Sequence, residues 1–174
     1  MKYVLNIILP KNKYLSKIRK KYDSNFDKTK NHITLVYPFS YSNQNKLIEH
    51  IKKSINLEPF KLILNGFAKS KKEYYLYMLL TSGRSEIHSL HKKLNSGILS
   101  KFKNKDMPRY IPHLTLGKFK SNREIKSALK SLQSDNISIS FPINNIRLMK
   151  INNNKAKIIR TFKLRRYKIY HLEV

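Results

Sequence analysis

The sequence predicts an α+β fold of two lobes related by a pseudo-twofold axis within one domain, and three observations carry that prediction. Short apolar runs of strand character alternate with stretches of helical periodicity along the chain. The order of these elements in the first half returns in the second, and each half contains one His-x-Thr-Leu segment on a strand flanked by helices. At 174 residues the chain suits a single domain, 1–174, with approximate halves 1–70 and 71–174 whose lobes interlock because no low-complexity linker parts them.

Residues 3–9 (YVLNIIL) form the first apolar run and stop at Pro10. The run superficially resembles a leader peptide, but Asn6 interrupts it and no small-residue cleavage site follows, so it reads as a strand. Tyr14, Leu15, Ile18 and Tyr22 recur at helical spacing, residues 32–39 (HITLVYPF) are rich in strand formers, Leu47, Ile48, Ile51 and Ile55 mark a second helix, and residues 60–67 a third strand. The second half opens with a strand at 74–80 (YYLYMLL). Ile87, Leu90, Leu94, Ile98 and Phe102 then share one helix face, and a strand follows at 113–119 (HLTLGKF). Ser121 and Glu124 have the spacing of a capping box, in which each side chain bonds the other's backbone N–H, and Ile125, Leu129 and Leu132 lie on the buried side of the helix they open. Residues 137–141 form another strand, and 146–151 with 157–164 flank the polar stretch 152–155 as a hairpin.

Composition narrows the function classes. No apolar run approaches the roughly 18 residues needed to span a bilayer, and with no cysteine the chain has neither a disulfide framework nor a thiolate metal site. A cytoplasmic monomer without membrane contact is the expectation. Lys and Arg total 37 against 10 Asp and Glu, a formal charge of +27. Such a field attracts polyanions, although AT-rich codons also inflate lysine; the scarcity of glutamate, whose codons are equally AT-tolerant, favours a polyanion-facing surface.

The chemistry sits in the repeated motif. One His-x-Thr is readily an accident, but the chain has only six His and five Thr, and two of each fall into His-x-Thr-Leu. On a strand, residues two apart point to the same face, so His32 with Thr34, and His113 with Thr115, project together while Ile33, Leu35, Leu114 and Leu116 turn toward apolar packing. A structural histidine explains one such pair; it explains two less well. Cleaving a phosphodiester requires a base for the attacking oxygen and an acid for the leaving one, and histidine titrates near neutral pH. Each threonine hydroxyl can donate to a non-bridging oxygen as charge grows there. Pseudo-symmetry leaves the roles interchangeable; His113 as base and His32 as acid is one of two assignments.

The two motifs, 81 positions apart on matching strands, resemble those of the 2H phosphoesterase superfamily, and in particular its bacterial 2'-5' RNA ligase-like branch. The resemblance extends to residues 19–23, 94–99 (LNSGIL), Ile111-Pro112 before His113, and Thr161-Phe162 in the closing hairpin. It implies two antiparallel sheets lining a central cleft, with helices on the outer faces and His32, Thr34, His113 and Thr115 as catalytic residues. It also implies a metal-independent phosphodiesterase that opens 2',3'-cyclic phosphates or cleaves 2'-5' linkages in RNA ends or oligonucleotides, with no cofactor. A phosphodiesterase for nucleotide second messengers and a catalytically idle basic RNA-binding module are the alternatives.

Other candidates have competing structural readings. Phe39, Arg109, Tyr110, Lys118 and Phe119 flank the motifs and are candidates for binding substrate, by stacking on a base or holding a phosphate; for Phe39, Phe119, Tyr110 and Arg109 taken singly, core packing or an exposed loop is the favoured reading. Lys118 has the wrong strand parity to share a face with His113 unless the strand ends or bulges at Gly117. His88 and His91 lie one helical turn apart without an acidic or cysteine partner nearby, so no metal site is expected. The basic residues Arg160, Lys163, Arg165, Arg166 and Lys168 read equally as a solvated strand face or a phosphate track.

Overall fold

A computed structural model describes residues 2–70, 73–102, 110–152 and 155–165. The elements run β1 (Lys2–Ile8), α1 (Lys13–Tyr22), β2 (His32–Ser40), α2 (Gln44–Ser54), β3 (Phe60–Lys69), β4 (Tyr75–Ser82), α3 (Arg84–Leu94), a 3-10 helix (Gly97–Phe102), β5 (His113–Lys118), α4 (Asn122–Gln133), β6 (Ser138–Ile143), β7 (Asn145–Asn152) and β8 (Lys155–Lys163). Two four-stranded antiparallel sheets result, ordered β2-β1-β7-β8 and β5-β4-β3-β6. This is the α+β fold that the duplicated element order predicts, with the two antiparallel sheets that the family resemblance implies.

The chain passes between the sheets twice. β3 leaves the first half to pair with β4 and β6, while β7 and β8 return from the second half to extend β1. Helices are exchanged as well: α1 links β1 to β2 yet packs on β5, and α3 links β4 to β5 yet packs on β2. Each helix therefore clamps the other sheet's motif strand. The motif strands β2 and β5 are edge strands of their own sheets and lie in contact with each other. Leu5, Ile7, Ile33, Leu35, Leu62, Leu64, Leu76, Met78, Leu114 and Leu116 are almost wholly buried in the core, and that burial drives the assembly.

Local chemistry starts and stops the helices. Asn12 and Asn43 cap α1 and α2 by accepting from Leu15 N and Lys46 N, at 3.1 and 3.0 Å. Ser121 caps α4 by accepting from Glu124 N at 3.3 Å, but the Glu124 carboxylate accepts from Lys120 N at 3.0 Å, one residue before the cap expected of a capping box. The helix expected to continue from Ile87 to Phe102 is broken. Asn95 ends it by donating its amide to the carbonyls of His91 (2.7 Å) and Leu35 (3.0 Å), and Gly97 takes a φ of +53° that restarts the chain as a 3-10 helix. The apolar periodicity survives the break because Leu94 and Leu99 remain buried and Ile98 and Phe102 still pack on the core.

Candidate functional site

Both motif strands carry the same irregularity. Asn6 faces Thr34 across the β1–β2 ladder but Leu5 faces Val36, and Tyr77 faces Thr115 across β4–β5 but Leu76 faces Gly117. Leu35 and Leu116 are therefore the extra residues of two matching β-bulges, and in each strand two consecutive residues, Leu35-Val36 and Leu116-Gly117, are buried. The bulge reverses the alternation beyond it. Lys118, paired with Tyr75, thus returns to the face of His113 and Thr115, and Tyr37 does the same beyond Thr34.

The histidines are held alike. His32 Nδ1 lies 2.8 Å from the Lys30 carbonyl, and His113 Nδ1 lies 2.7 Å from the Ile111 carbonyl. A carbonyl only accepts, so Nδ1 carries the hydrogen in each ring and Nε2 is left to take up or deliver a proton. Burial pushes both imidazoles below the ordinary histidine range, opposed by those carbonyl bonds; the charge of Arg19 further lowers His32, and the charge of His32 further lowers His113. That last effect accords with the contact between β2 and β5, the strands that carry the two rings.

The start of β2 rests on a buried arginine. Arg19 bonds the Asp23 carboxylate through Nε (3.0 Å) and a terminal nitrogen (2.6 Å), and donates to Asn31 Oδ1 (2.9 Å) and Thr29 Oγ1 (2.8 Å). Leu9 N donates to the Asn31 carbonyl at 2.9 Å, tying the loop to the end of β1. This network spans the segment that presents the Lys30 carbonyl to His32. On β5, Gly117 admits the end of α1: a Cβ there would lie 2.7 Å from Tyr22 Cβ and closer still to the Tyr22 carbonyl oxygen.

The other sequence candidates separate by position. Lys118 is exposed, with Nζ 5.0 Å from the Tyr75 ring centroid, and its contact with Tyr75 raises its pKa. Tyr110 donates its hydroxyl to the Thr34 carbonyl (2.7 Å) and stacks on His91 at 3.7 Å, while His91 Nδ1 lies 2.7 Å from the Leu35 carbonyl. Tyr110 and His91 thus brace the β2 bulge from its edge. Phe39 lies in the core, 4% exposed, with its ring 6.0 Å from Tyr3 and 5.5 Å from Phe102. A second slip of the β1–β2 ladder, between Val36 and Phe39, turns it to the helix-covered side. Phe119 packs on Tyr22 at 5.4 Å. Arg109, Arg166, Lys168 and His171 lie outside the described residues. Among the described residues no three His, Cys, Asp or Glu side chains form a metal-binding group, and no helix is long and apolar enough to cross a membrane.

Sequence reasoning missed two groups. Tyr77 faces Thr115 and lies 3.9 Å from the His113 ring, with Tyr75 stacked alongside at 6.1 Å and 8°. The run YYLYMLL marks a strand, but only the pairing register shows which tyrosines share the histidine's face. The second group, Asn6 and Arg147, belongs to the face of Thr34 on β1 and β7. In the sequence they are single polar residues within apolar strands.

A family model described as the 2'-5' RNA ligase superfamily matches residues 10–155. A Bacillus licheniformis protein that carries a phosphoesterase name is 28% identical over 172 residues, covering 93% of this chain and 98% of its own. Among solved structures, Escherichia coli LigT in its apo form superimposes with a TM-score of 0.65 at 14% identity, over 95% of this chain and 98% of its own. LigT complexed with 3'-AMP gives a TM-score of 0.64 at 14% identity, over 94% and 96% of the two chains.

Proposed function

From the premise that this chain belongs to the 2'-5' RNA ligase superfamily, we propose that it is a phosphodiesterase that hydrolyses 2',3'-cyclic phosphate or 2'-5' phosphodiester bonds at RNA ends or in oligonucleotides, using His32 and His113 as its acid–base pair. The observation that carries the reading is the matched anchoring of the two imidazoles, each with Nδ1 turned to a backbone carbonyl and Nε2 left for proton transfer. The nucleotide bound by the structural relative LigT, 3'-AMP, supports a nucleotide substrate for this chain.

In the proposed reaction one neutral imidazole takes a proton from water as the water oxygen attacks phosphorus. The other, protonated, delivers its proton to the departing ribose oxygen, so one P–O bond forms as another breaks and the product is a phosphomonoester. Thr34 and Thr115 stand beside the histidines on the same faces, where their hydroxyls donate to the non-bridging oxygens. Lys118 supplies positive charge beyond Thr115, while Tyr37 and Tyr77 offer ring faces on either side of the phosphate for a base or ribose. No metal ion is required by this chemistry.

The test is turnover of 2',3'-cyclic and 2'-5'-linked substrates by the wild type, His32→Ala, His113→Ala and the double variant. Each single change is expected to lower kcat by about 10²–10⁴, with the double variant little worse than either single one, because both groups serve one step. Near wild-type rates in either single variant would rule out the paired mechanism.

A further inference from the structure

The two sheets share a motif but differ in what surrounds it. Level with the catalytic threonine in the second sheet, the row across the strands reads Thr115, Tyr77 and Ala68. The corresponding row in the first sheet reads Thr34, Asn6, Arg147 and Thr161, one residue from each of β2, β1, β7 and β8. The row runs from half-buried Thr34 through buried Asn6 and half-buried Arg147 to exposed Thr161, and the polar atoms at its centre are costly to keep, since polar groups removed from water need partners. Two atoms in that row have none among the described residues: Asn6 Oδ1, on a residue only 6% exposed, and Arg147 Nε. The Asn6 amide nitrogen has only a long contact, 3.8 Å, to Met149 sulfur. A buried donor and a buried acceptor on adjacent strands, left unbonded to each other, form a preorganised site for something else.

The surroundings indicate its chemistry. Arg147 also lines a cavity of about 700 Å³ between β1, the loop preceding β2 and the β6–β7 junction. Lys11, Lys28 and Lys30 line the same cavity, Asp27 is the one acidic residue in its lining, and the charge of Arg19 is already met by Asp23. The cavity therefore carries a surplus of positive charge and adjoins the segment that leads into His32. Neighbouring strands are about 4.8 Å apart, which puts β7 about 10 Å from β2. One nucleotide unit and an extended arginine side chain cover that span.

We infer that Asn6 and Arg147 form a second subsite, in which the Arg147 guanidinium holds a phosphate of the substrate other than the one being cleaved and Asn6 Oδ1 accepts from the ribose hydroxyl that is set free as the cyclic phosphate opens. The inference rests on the nucleotide phosphodiesterase reading above and deepens it: the substrate class is a nucleotide carrying at least two phosphates, such as an RNA end whose terminal cyclic phosphate follows an internal phosphodiester, rather than an isolated cyclic mononucleotide. Arginine suits the task because its planar fork pairs with two phosphate oxygens at once and it stays charged at every working pH.

The experiment compares adenosine 2',3'-cyclic phosphate with its 5'-phosphorylated form as substrates, and 3'-AMP with adenosine 3',5'-bisphosphate as binding probes, on the wild type and Arg147→Gln. The wild type is expected to prefer the doubly phosphorylated member of each pair by about 10- to 100-fold, the usual worth of a hydrogen-bonded charge contact. Arg147→Gln is expected to remove most of that preference, and Arg147→Lys to restore part of it. Lys28→Gln, an exposed change in the same cavity, should reduce the preference by a smaller factor and serves if Arg147→Gln fails to fold. Equal kcat/KM and equal affinity within each pair for the wild type, or a preference that Arg147→Gln and Lys28→Gln both leave intact, would overturn the subsite. Absence of turnover with an Arg147-dependent preference for the bisphosphate would instead overturn the hydrolase reading and leave the subsite standing.

Discussion

Each motif imidazole has one nitrogen bonded to the carbonyl two residues before it, and this has a consequence for pH. Burial lowers the pKa of both rings, and the charge of His32 lowers His113 further. Proton transfer requires one ring neutral and the other protonated, so kcat/KM should follow a bell whose flanks belong to the pair. The alkaline flank marks loss of the protonated member; because both pKa values are depressed, it should fall below the ordinary histidine value of about 6.5. The optimum of the free enzyme is therefore expected to be mildly acidic. A pH–rate series in excess EDTA checks this, and a rate that rises monotonically to high pH, or is abolished by the chelator and restored by a divalent ion, would contradict it. His32→Gln should raise the pKa of His113, since removing a neighbouring cation removes repulsion; an NMR titration of the remaining ring reads the shift directly.

Among the elements, the bulges decide the geometry of the site. Each inserts one leucine after the threonine, buries two consecutive residues and returns the following side chain to the face of the motif histidine and threonine. On β5 the bulge ends at Gly117, where the end of α1 leaves no room for a side chain because the Tyr22 backbone is in the way. The backbone of a helix end cannot swing aside as a flexible side chain would. Gly117→Ala is expected to cost about 1–3 kcal/mol, the usual cost of overpacking a filled site, and urea unfolding would show it as a lower midpoint at unchanged slope. An alanine variant as stable as the wild type would mean that α1 does not sit against β5 as described. β2 carries Val36 at the matching position, buried in the core, so the two motifs share their residue types but not their packing.

The whole molecule carries a formal charge of +27. Part of it lines distinct depressions, Lys52, Arg160, Lys163 and Arg165 in one and Lys150, Lys155 and Lys157 at the β7–β8 hairpin in another. If these surfaces follow the backbone of a polynucleotide, its affinity should fall steeply with salt, log K against log salt having a slope of roughly −0.7 per phosphate neutralised on a single strand. A dinucleotide can cover few such contacts and should show a shallow slope. Equal slopes for a long RNA and a dinucleotide, measured by fluorescence anisotropy from 50 to about 300 mM salt, would assign the excess charge no role in binding RNA along its length.

Much of this was legible in the linear chain because it depends on near neighbours in sequence. Strand and helix periodicity, the asparagine and serine caps, the repeated element order and the coupling of each histidine to the threonine two residues on are all local facts. The sequence reading also stated the condition for Lys118 to join the site, a bulge at Gly117, though not whether it was met. Hydrogen bonds between strands decided that, since a one-residue slip in a ladder reverses every side chain beyond it and leaves no mark in composition. The same slips put Phe39 in the core, which removes it from the candidates for binding substrate, and turn Tyr37, for which the sequence offered no expectation, to the face of Thr34. Asn6, Tyr77 and Arg147 illustrate the limit most plainly: each lies in an apolar strand, only the registers of β1 with β2 and of β4 with β5 set Asn6 and Tyr77 opposite Thr34 and Thr115, and only the return of β7 to the first sheet adds Arg147 to that row.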